Sequence, residues 1–287
     1  MRYYQFTDSG ERRLAVETDD GTYDVTSTTP KLRSFGDLAR AADVADLSID
    51  ALAERALDGA ATVDDVPDAA RAPVDAEEIW AAGVTYQISE EAREAESDTP
   101  DLYLDVYDAD RPEIFFKATP SRTVGPGNAV GIRGDSEWDV PEPELGVVLY
   151  EGEIVGYTVG NDMSSRSIEG QNPLYLPQAK VYDRCCSIGP CVATTAAIED
   201  PHDLTMTMSI TRDGEVLYDD HTSTGEMVRS CEELVGYLTR HNSVPELAVL
   251  LTGTSLVPDE GFTLRPGDRI DIEIDGIGTL SNTVTEV

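Results

Sequence analysis

Short apolar runs alternate with polar residues along most of the chain, and this pattern predicts a protein built mainly of β-strands. Between residues 2 and 26 the runs are broken by Ser-Gly and Asp-Gly pairs, which predicts a small antiparallel meander. From residue 75 onward strand-like runs are frequent. The predicted strands are 79–84, 114–118, 145–150, 154–160, 204–211, 215–218, 247–251 and 270–274.

Helical patterns are few. Segments 34–42 and 48–57 are predicted as short helices. Segment 230–238 is a stronger candidate, because Ser230 and Glu233 have the spacing of a capping box and are followed by an apolar stripe.

The order of these elements predicts the fold class and a division into domains. Residues 60–73 are rich in Ala, Asp and Pro without a clear period, as is typical of a linker. We therefore expect a small N-terminal α+β domain, residues 1–72, and a larger domain, residues 73–287. Strands and helices do not alternate regularly, so the predicted class is α+β and β-dominated. Residues 89–109 are charged and suit either a mobile lid or a plain surface helix.

The charge of the chain restricts the classes of partner it can bind and indicates the salt conditions in which it works. The sequence has 56 acidic and 21 basic residues, a net charge of −35, and lysine only at Lys31, Lys117 and Lys180. Such an acid-rich, lysine-poor composition is expected of a protein that works in molar salt, where self-repulsion is screened. The charge argues against nucleic acid and anionic membrane as partners.

The chain start and the cysteines indicate a cytoplasmic protein. The first residues lack the pattern of a secretory signal, and no apolar run is long enough to span a bilayer. Cys185 and Cys186 are adjacent and could be bridged only with strain, so reduced thiols are expected. A zinc site at Cys186 and Cys191 is a weak alternative, since the three histidines lie in unrelated segments.

The most informative polar residues are three carboxylates. If a strand begins near residue 142, Glu142 and Glu144 point to the same face. A hairpin folded about Gly152 brings Glu142 opposite Asp162, to within about one residue. Three oxygen ligands would then converge, as Mg²⁺, Mn²⁺ or Ca²⁺ require. The alternative is a solvated strand face, the common identity of a Glu-x-Glu pair.

Lys180 is a second candidate for chemistry. In a chain that avoids lysine, a lysine inside the run LPQAK (176–180) is less easily explained as surface filler. A structural ion pair is the alternative interpretation.

Several motifs together resemble the fumarylacetoacetate hydrolase superfamily. The motifs are VPEPELGVVL (140–149), GYTVGNDMSSR (156–166), PQAK (177–180), LTGT (251–254) and GIGTLSNTV (276–284). The resemblance covers residue 79 to the C-terminus, so the larger domain would be the catalytic one. It implies a mixed β-sandwich roll and a homodimer or homotetramer.

The resemblance also implies roles for individual residues. The metal ligands of the family fall on Glu142, Glu144 and Asp162, which would hold Mg²⁺, or Mn²⁺ or Ca²⁺ in its place. The active-site lysine falls on Lys180. The residues that contact substrate fall on Arg166 and Thr254.

One departure from the family pattern narrows the reaction. Most hydrolases of the family carry a His-Glu pair in the lid, but in TYQISEE (85–91) the histidine position holds Ser89, which we predict as a substrate-binding residue. The runs RPEIFFK (111–117), GIRGDSEW (131–138) and EGQNPLYLPQAK (169–180) resemble the branch that dehydrates sugar acids, whose catalytic carboxylate falls on Glu113. Ser167 and Ile88 depart from the usual residues.

The implied activity is therefore that of a lyase on a small sugar acid. The expected reaction is dehydration of a 2-keto-3-deoxy-pentonate, derived from xylonate or arabinonate, to 2,5-dioxopentanoate. Glu113 would be the general base, and Lys180 would bind the substrate carboxylate or neutralise the enolate oxygen. A hydrolase or decarboxylase acting on acylpyruvates or oxaloacetate is the alternative, and a non-catalytic protein of the same fold is a third interpretation.

The composition makes a direct prediction about salt. We expect the melting temperature to fall as KCl is lowered from about 1 M to about 0.1 M, because the Debye length then grows from about 3 Å to about 10 Å. The 35 net negative charges would repel one another over that longer range. Calorimetric melting across a KCl series measures this, and a melting temperature that is independent of salt would contradict the halophilic interpretation.

Overall fold

The described part of the chain contains two large β-sheets, a two-stranded sheet of Asp139–Val140 and Ser164–Ser165, and the five α-helices named below. The structure, a computed structural model, describes residues 1–64, 70–86, 106 and 109–287. The strands are β1 (Arg2–Asp8), β2 (Glu11–Thr18), β3 (Gly21–Asp24), β4 (Ala61–Thr62), β5 (Glu78–Gly83), β6 (Glu113–Ala118), β7 (Thr123–Val124), β8 (Ala129–Ile132), β9 (Asp139–Val140), β10 (Pro143–Tyr150), β11 (Glu153–Asp162), β12 (Ser164–Ser165), β13 (Cys186–Thr194), β14 (Thr205–Arg212), β15 (Glu215–Ser223), β16 (Leu247–Leu251), β17 (Arg269–Ile274) and β18 (Gly278–Glu286). The helices are α1 (Phe35–Val44), α2 (Ile49–Ala56), α3 (Arg166–Gln171), α4 (Leu176–Lys180) and α5 (Cys231–Thr239).

The two main sheets pack face to face. The eleven-stranded sheet has the order β4-β3-β2-β1-β13-β11-β10-β16-β5-β6, with β7 paired to β13, and the five-stranded sheet has the order β15-β14-β17-β18-β8. Strands β10, β11 and β13 of the first contact β14, β17 and β18 of the second. Pairs β16–β5 and β18–β8 are parallel and most others are antiparallel, so the sheets are mixed. The predicted β-dominated sandwich is confirmed.

Burial explains why apolar and polar residues do not alternate along the central strands. All residues of β16 and β13 are buried, because both faces of the large sheet are covered there. Strands β14 and β17 alternate buried and accessible residues, because only one face meets the core.

The N-terminal strands extend the large sheet. Strand β1 pairs with β13, with Arg2 opposite Ala193. Within the predicted linker, β4 pairs with β3, and Ala70 bridges to Phe6. The predicted helices are confirmed, and their caps Ser34 and Ser48 accept hydrogen bonds at their N-termini. The division into domains at residue 72 stays a prediction.

Strand β13 was missed because it contains Gly189 and Pro190, which argue against a central strand. The pairing of β11 with β13 shifts register between Tyr157 and Val159, opposite this dipeptide. That irregularity accommodates a residue without an N–H. Strands β8 and β18 were also missed, whereas all eight predicted strands are present.

The hairpin of β10 and β11 has the register on which the sequence prediction depended. A tight turn at Gly152 would by itself place Glu142 opposite Asn161. A bulge at Val155 adds one residue to β11, so that Pro143 pairs with Asn161 and Glu142 lies opposite Asp162. The predicted pairing is confirmed, and side chains opposite each other share a face.

A hydropathy search of the described residues finds no helix with the length and apolar character of a bilayer span.

A close approach between two loops makes a prediction about stability. Gly253 follows β16 with φ of +82°, and a Cβ there would lie 2.2 Å from Thr85 Oγ1 and 2.8 Å from Ala82 O. We expect Gly253→Ala to lower the free energy of unfolding by about 2–5 kcal/mol, combining left-handed strain with overpacking. Gly127→Ala is the matched control, since Gly127 has φ of +74° and open space around it. It should cost only about 1–2 kcal/mol. If urea unfolding shows the same loss of unfolding free energy in both variants, the close approach at Gly253 makes no energetic contribution.

Candidate active site and metal centre

Three buried carboxylates meet at one end of β10 and β11. Glu142 immediately precedes β10, Glu144 lies within it, and Asp162 ends β11. Their side chains offer ligand oxygens that all lie within 4.8 Å of one another. The Asp162 N–H donates to the Glu142 carbonyl at 2.9 Å, which locks the two strand ends together.

Basic side chains surround this group. Lys180 Nζ lies 2.5 Å from Glu142 Oε2 and 3.4 Å from Asp162 Oδ2. Arg166 Nη2 lies 3.2 Å from Glu142 Oε1. Lys180 is buried at the end of α4, with its Nζ 5.8 Å from the centre of the Phe115 ring. The lysine is thus held against the carboxylates, so the predicted ion pair and the predicted catalytic position coincide.

The pKa values follow from burial and from these neighbours. Burial, together with the nearby Asp162 and Glu142, raises the pKa of Glu144 well above its ordinary value. Burial opposes ionisation of Glu142 as well, but Lys180 and Arg166 outweigh it and lower the pKa. Burial disfavours the charge of Lys180, yet Asp162 and Glu142 raise its pKa. A further positive charge in the cavity would therefore stabilise the form in which all three carboxylates are ionised.

The donor set fits a hard divalent cation. Carboxylate oxygens at this mutual distance are the ligands that Mg²⁺ and similar ions take. Among the described residues, Glu142, Glu144 and Asp162 form the cluster of potential metal-ligating side chains, and this cluster contains no cysteine. Cys186 and Cys191 are buried free thiols, so the zinc alternative gains no support.

Glu113 faces the same cavity from the opposite side. It begins β6 and pairs with Gly83 of β5. A Cβ at Gly83 would lie 2.0 Å from Glu113 Oε2, so the glycine leaves the room that the carboxylate occupies. The cavity, about 50 Å³, is lined by Glu113, Glu142, Glu144, Asp162, Arg166, Glu169, Lys180 and Thr254 among others.

Backbone contacts hold the predicted substrate-binding residues. Arg166 begins α3, and its N–H donates to the Trp138 carbonyl at 2.8 Å. Thr254 follows Gly253, whose N–H donates to Glu144 Oε2 at 2.7 Å. Seven of the eight predicted site residues therefore lie around one cavity. The eighth, Ser89, and the departure at Ile88 lie outside the described residues.

A second, more apolar cavity of about 260 Å³ adjoins the first. Both are lined by Val84, Glu113 and Leu176. Glu113 therefore lies between a polar cavity with the carboxylates and a cavity with apolar walls.

Two polar residues near the site were not predicted. Glu169 lines the cavity and accepts a hydrogen bond from Ser164 Oγ at 3.0 Å. Lys117 is fully buried, with its Nζ 2.5 Å from Asp162 Oδ1. Two signals pointed to Lys117, the scarcity of lysine and its place at the end of the motif RPEIFFK (111–117), but the scarcity was followed only for Lys180.

Comparison with known proteins agrees with this geometry. Residues 78–285 match the family described as Fumarylacetoacetate (FAA) hydrolase C-terminal. The chain is 70% identical over 289 residues, covering 100% of both chains, to the "Probable 2-keto-3-deoxyxylonate dehydratase" of Haloferax volcanii. It is 45% identical over 217 residues, 74% of this chain and 73% of the relative, to 2-dehydro-3-deoxy-D-arabinonate dehydratase of Saccharolobus solfataricus.

A solved structure is also similar over the whole length. It is 2-keto-3-deoxy-D-arabinonate dehydratase complexed with magnesium and 2,5-dioxopentanoate, with a TM-score of 0.83 and 34% identity, covering 100% of this chain and 99% of that one. The sequence match and the shared fold lead to one conclusion: this chain belongs to the fumarylacetoacetate hydrolase family.

Proposed function

We propose that the chain is a metal-dependent hydro-lyase that converts a 2-keto-3-deoxy-pentonate, derived from xylonate or arabinonate, to 2,5-dioxopentanoate. The observation that carries the proposal is the position of Glu113, which lines one cavity with the three carboxylates and Lys180. The two relatives are named as dehydratases of such sugar acids, and the similar solved structure holds magnesium and 2,5-dioxopentanoate.

Glu142, Glu144 and Asp162 would hold the metal, with Mg²⁺ the proposed ion. A bound Mg²⁺ supplies a Lewis acid that stabilises negative charge on the keto oxygen of the substrate. The raised pKa of Glu144 supports this role, because burial and the nearby Asp162 and Glu142 disfavour its ionised form and a bound cation would stabilise it.

Glu113 would carry the proton transfers. It takes a proton from carbon 3 as that C–H bond breaks, and the electron pair first forms the enolate of the keto group. The enolate electrons then form the second bond between carbons 3 and 4 as the C4–O bond breaks, and the proton on Glu113 leaves with the hydroxide as water. Tautomerisation then moves a hydrogen from carbon 5 to carbon 3 and the proton of the carbon-5 hydroxyl to carbon 4, which gives the aldehyde of 2,5-dioxopentanoate.

The other residues would bind and orient the substrate. The ammonium of Lys180 would bind the substrate carboxylate or neutralise charge on the enolate oxygen. Arg166 and Thr254, on the same cavity wall, would contact the remaining oxygens, as would Ser89. The adjoining apolar cavity offers room for the far end of the sugar acid.

The wider setting is part of the same proposal. We infer a cytoplasmic homodimer or homotetramer adapted to high salt, supported by the acidic, lysine-poor composition and the four buried free thiols. Light scattering at molar KCl measures the assembly.

A substrate panel tests the proposed reaction. The purified protein with Mg²⁺ in molar KCl should form 2,5-dioxopentanoate from one or both 2-keto-3-deoxy-pentonates, as followed by NMR. Acylpyruvate and oxaloacetate should be turned over far more slowly. Preferred cleavage or decarboxylation of these two compounds would favour the hydrolase or decarboxylase alternative.

Removal of the metal should abolish turnover. EDTA treatment is expected to eliminate activity, and Mg²⁺ should restore it, with Mn²⁺ and Ca²⁺ compared in parallel. Glu144→Gln replaces a charged ligand by a neutral one and should also eliminate activity with little change in melting temperature. Full activity of metal-stripped protein would overturn the metal-dependent mechanism.

Replacement of the proposed base separates binding from chemistry. Glu113→Gln should keep metal and substrate binding but lose about 10²- to 10⁴-fold in kcat, the usual cost of removing a general base. The same variant should also lose the exchange of the carbon-3 hydrogens of the substrate with D₂O, which NMR measures. Glu215→Gln, on an exposed strand, is the control and should change neither property. A Glu113→Gln variant with near wild-type kcat would place the base elsewhere.

A further inference from the structure

Lys117 is a fully buried lysine whose ammonium meets three oxygens. It lies in β6 with no exposed surface. Its Nζ lies 2.5 Å from Asp162 Oδ1, donates to the Met163 carbonyl at 2.8 Å, and donates to the Lys180 carbonyl. Two of its donors therefore go to backbone carbonyls, and its charge is paired with the Asp162 carboxylate.

The contact with Asp162 restrains a residue of the carboxylate group. Lys117 occupies Oδ1, while Oδ2 lies 3.4 Å from Lys180 Nζ. The two oxygens of the carboxylate thus face different ammonium groups, and Oδ2 is directed toward Lys180.

The contacts with backbone carbonyls join two chain segments. Met163 follows the end of β11, and Lys180 ends α4. Because one ammonium binds a carbonyl from each, it fixes the distance between Asp162 and the backbone that carries the Lys180 side chain.

The strand that carries Lys117 also carries Glu113. Glu113 and Phe115 are two apart and share a face of β6, and Lys117 follows where the pairing with β5 shifts register. Glu113 lines the cavity, and the Phe115 ring lies beside Lys180 Nζ. One short strand thus sets the positions of the carboxylate, the ring and the ammonium.

We propose that Lys117 is a positioning residue. It holds Asp162 so that one carboxylate oxygen remains for the metal, and it holds the Lys180 backbone at the matching position. This role rests on the metal-dependent function proposed above, but it concerns metal binding and can be tested without substrate.

Metal titration of variants is the experiment. Lys117→Met and Lys117→Gln remove the charge, and Lys31→Met is the matched control because Lys31 is exposed. Mg²⁺ binding to metal-stripped protein is measured by calorimetry, and Mn²⁺ binding by electron paramagnetic resonance. We expect Kd to rise about 10- to 100-fold in both Lys117 variants, the usual effect of removing a residue that orients a metal ligand. Kd should not change in Lys31→Met. A folded neutral variant with wild-type Kd would overturn the proposal, since a purely structural role lowers the melting temperature without changing Kd.

A double variant keeps the test decisive if the single variants do not fold. The double variant Asp162→Asn, Lys117→Met removes both charges of the buried ion pair. It should fold, because no unpaired charge of that pair remains in the interior. Because Lys117 acts through Asp162, the double variant should bind Mn²⁺ within about threefold of Asp162→Asn alone. A much weaker double variant would show that Lys117 affects metal binding without acting through Asp162, and would overturn the proposal that it positions this ligand. If the wild-type protein binds Mg²⁺ but shows no dehydratase activity, that result would instead contradict the proposed function.

Discussion

The interior of this protein must accommodate three carboxylates in a space almost closed to water. Glu142, Glu144 and Asp162 are each less than a tenth exposed, and like charges at such separation repel strongly where water does not screen them. The arrangement is tolerable because Lys180, Arg166 and Lys117 reach the same place from separate parts of the chain. The positions of β6, α3 and α4 relative to the β10–β11 hairpin therefore depend on this balance of charge.

The use of lysine differs between the surface and the interior. Of three lysines in the chain, Lys117 and Lys180 are buried at the carboxylates. Surface pairs use arginine instead, as in Arg40 with Glu246 and Arg133 with Asp135. A compact ammonium can contact carboxylates and carbonyls in several directions, whereas the planar guanidinium suits two-pronged pairing with a single carboxylate. The surface pairs named here thus use arginine, whereas the site combines two lysines with Arg166.

The site also separates polar from apolar surroundings. The carboxylates, Lys180 and Arg166 lie on one side of Glu113, and the walls of the adjoining cavity are largely apolar on the other. A 2-keto sugar acid has its carboxylate and keto oxygens at one end, which matches the polar cavity. In the proposed reaction, Glu113 at the border of that cavity would transfer the proton at the middle carbons.

Much of this arrangement was predictable from local sequence. The strands, the capped helices and the facing of Glu142 and Asp162 follow from patterns within a few tens of residues, because a hairpin's register depends on its own turn and bulge. The family motifs indicated Lys180, Arg166, Thr254 and Glu113. Strand β13 escaped detection, because its Gly-Pro pair is compatible with a central strand only where the register with β11 shifts.

The contacts of Lys117 could not be read from the sequence. They join residues 45 or more positions apart, and only the packing of β6 beside the end of β11 brings them together. The close approach at Gly253 has the same origin, since Ala82 in β5 and Thr85 just after it are far from Gly253 in the sequence. Sequence by itself determined which residue types and local elements were present. Tertiary packing decided which cation neutralises which carboxylate, because burial and distance set the strength of a charge interaction and neither is a local property.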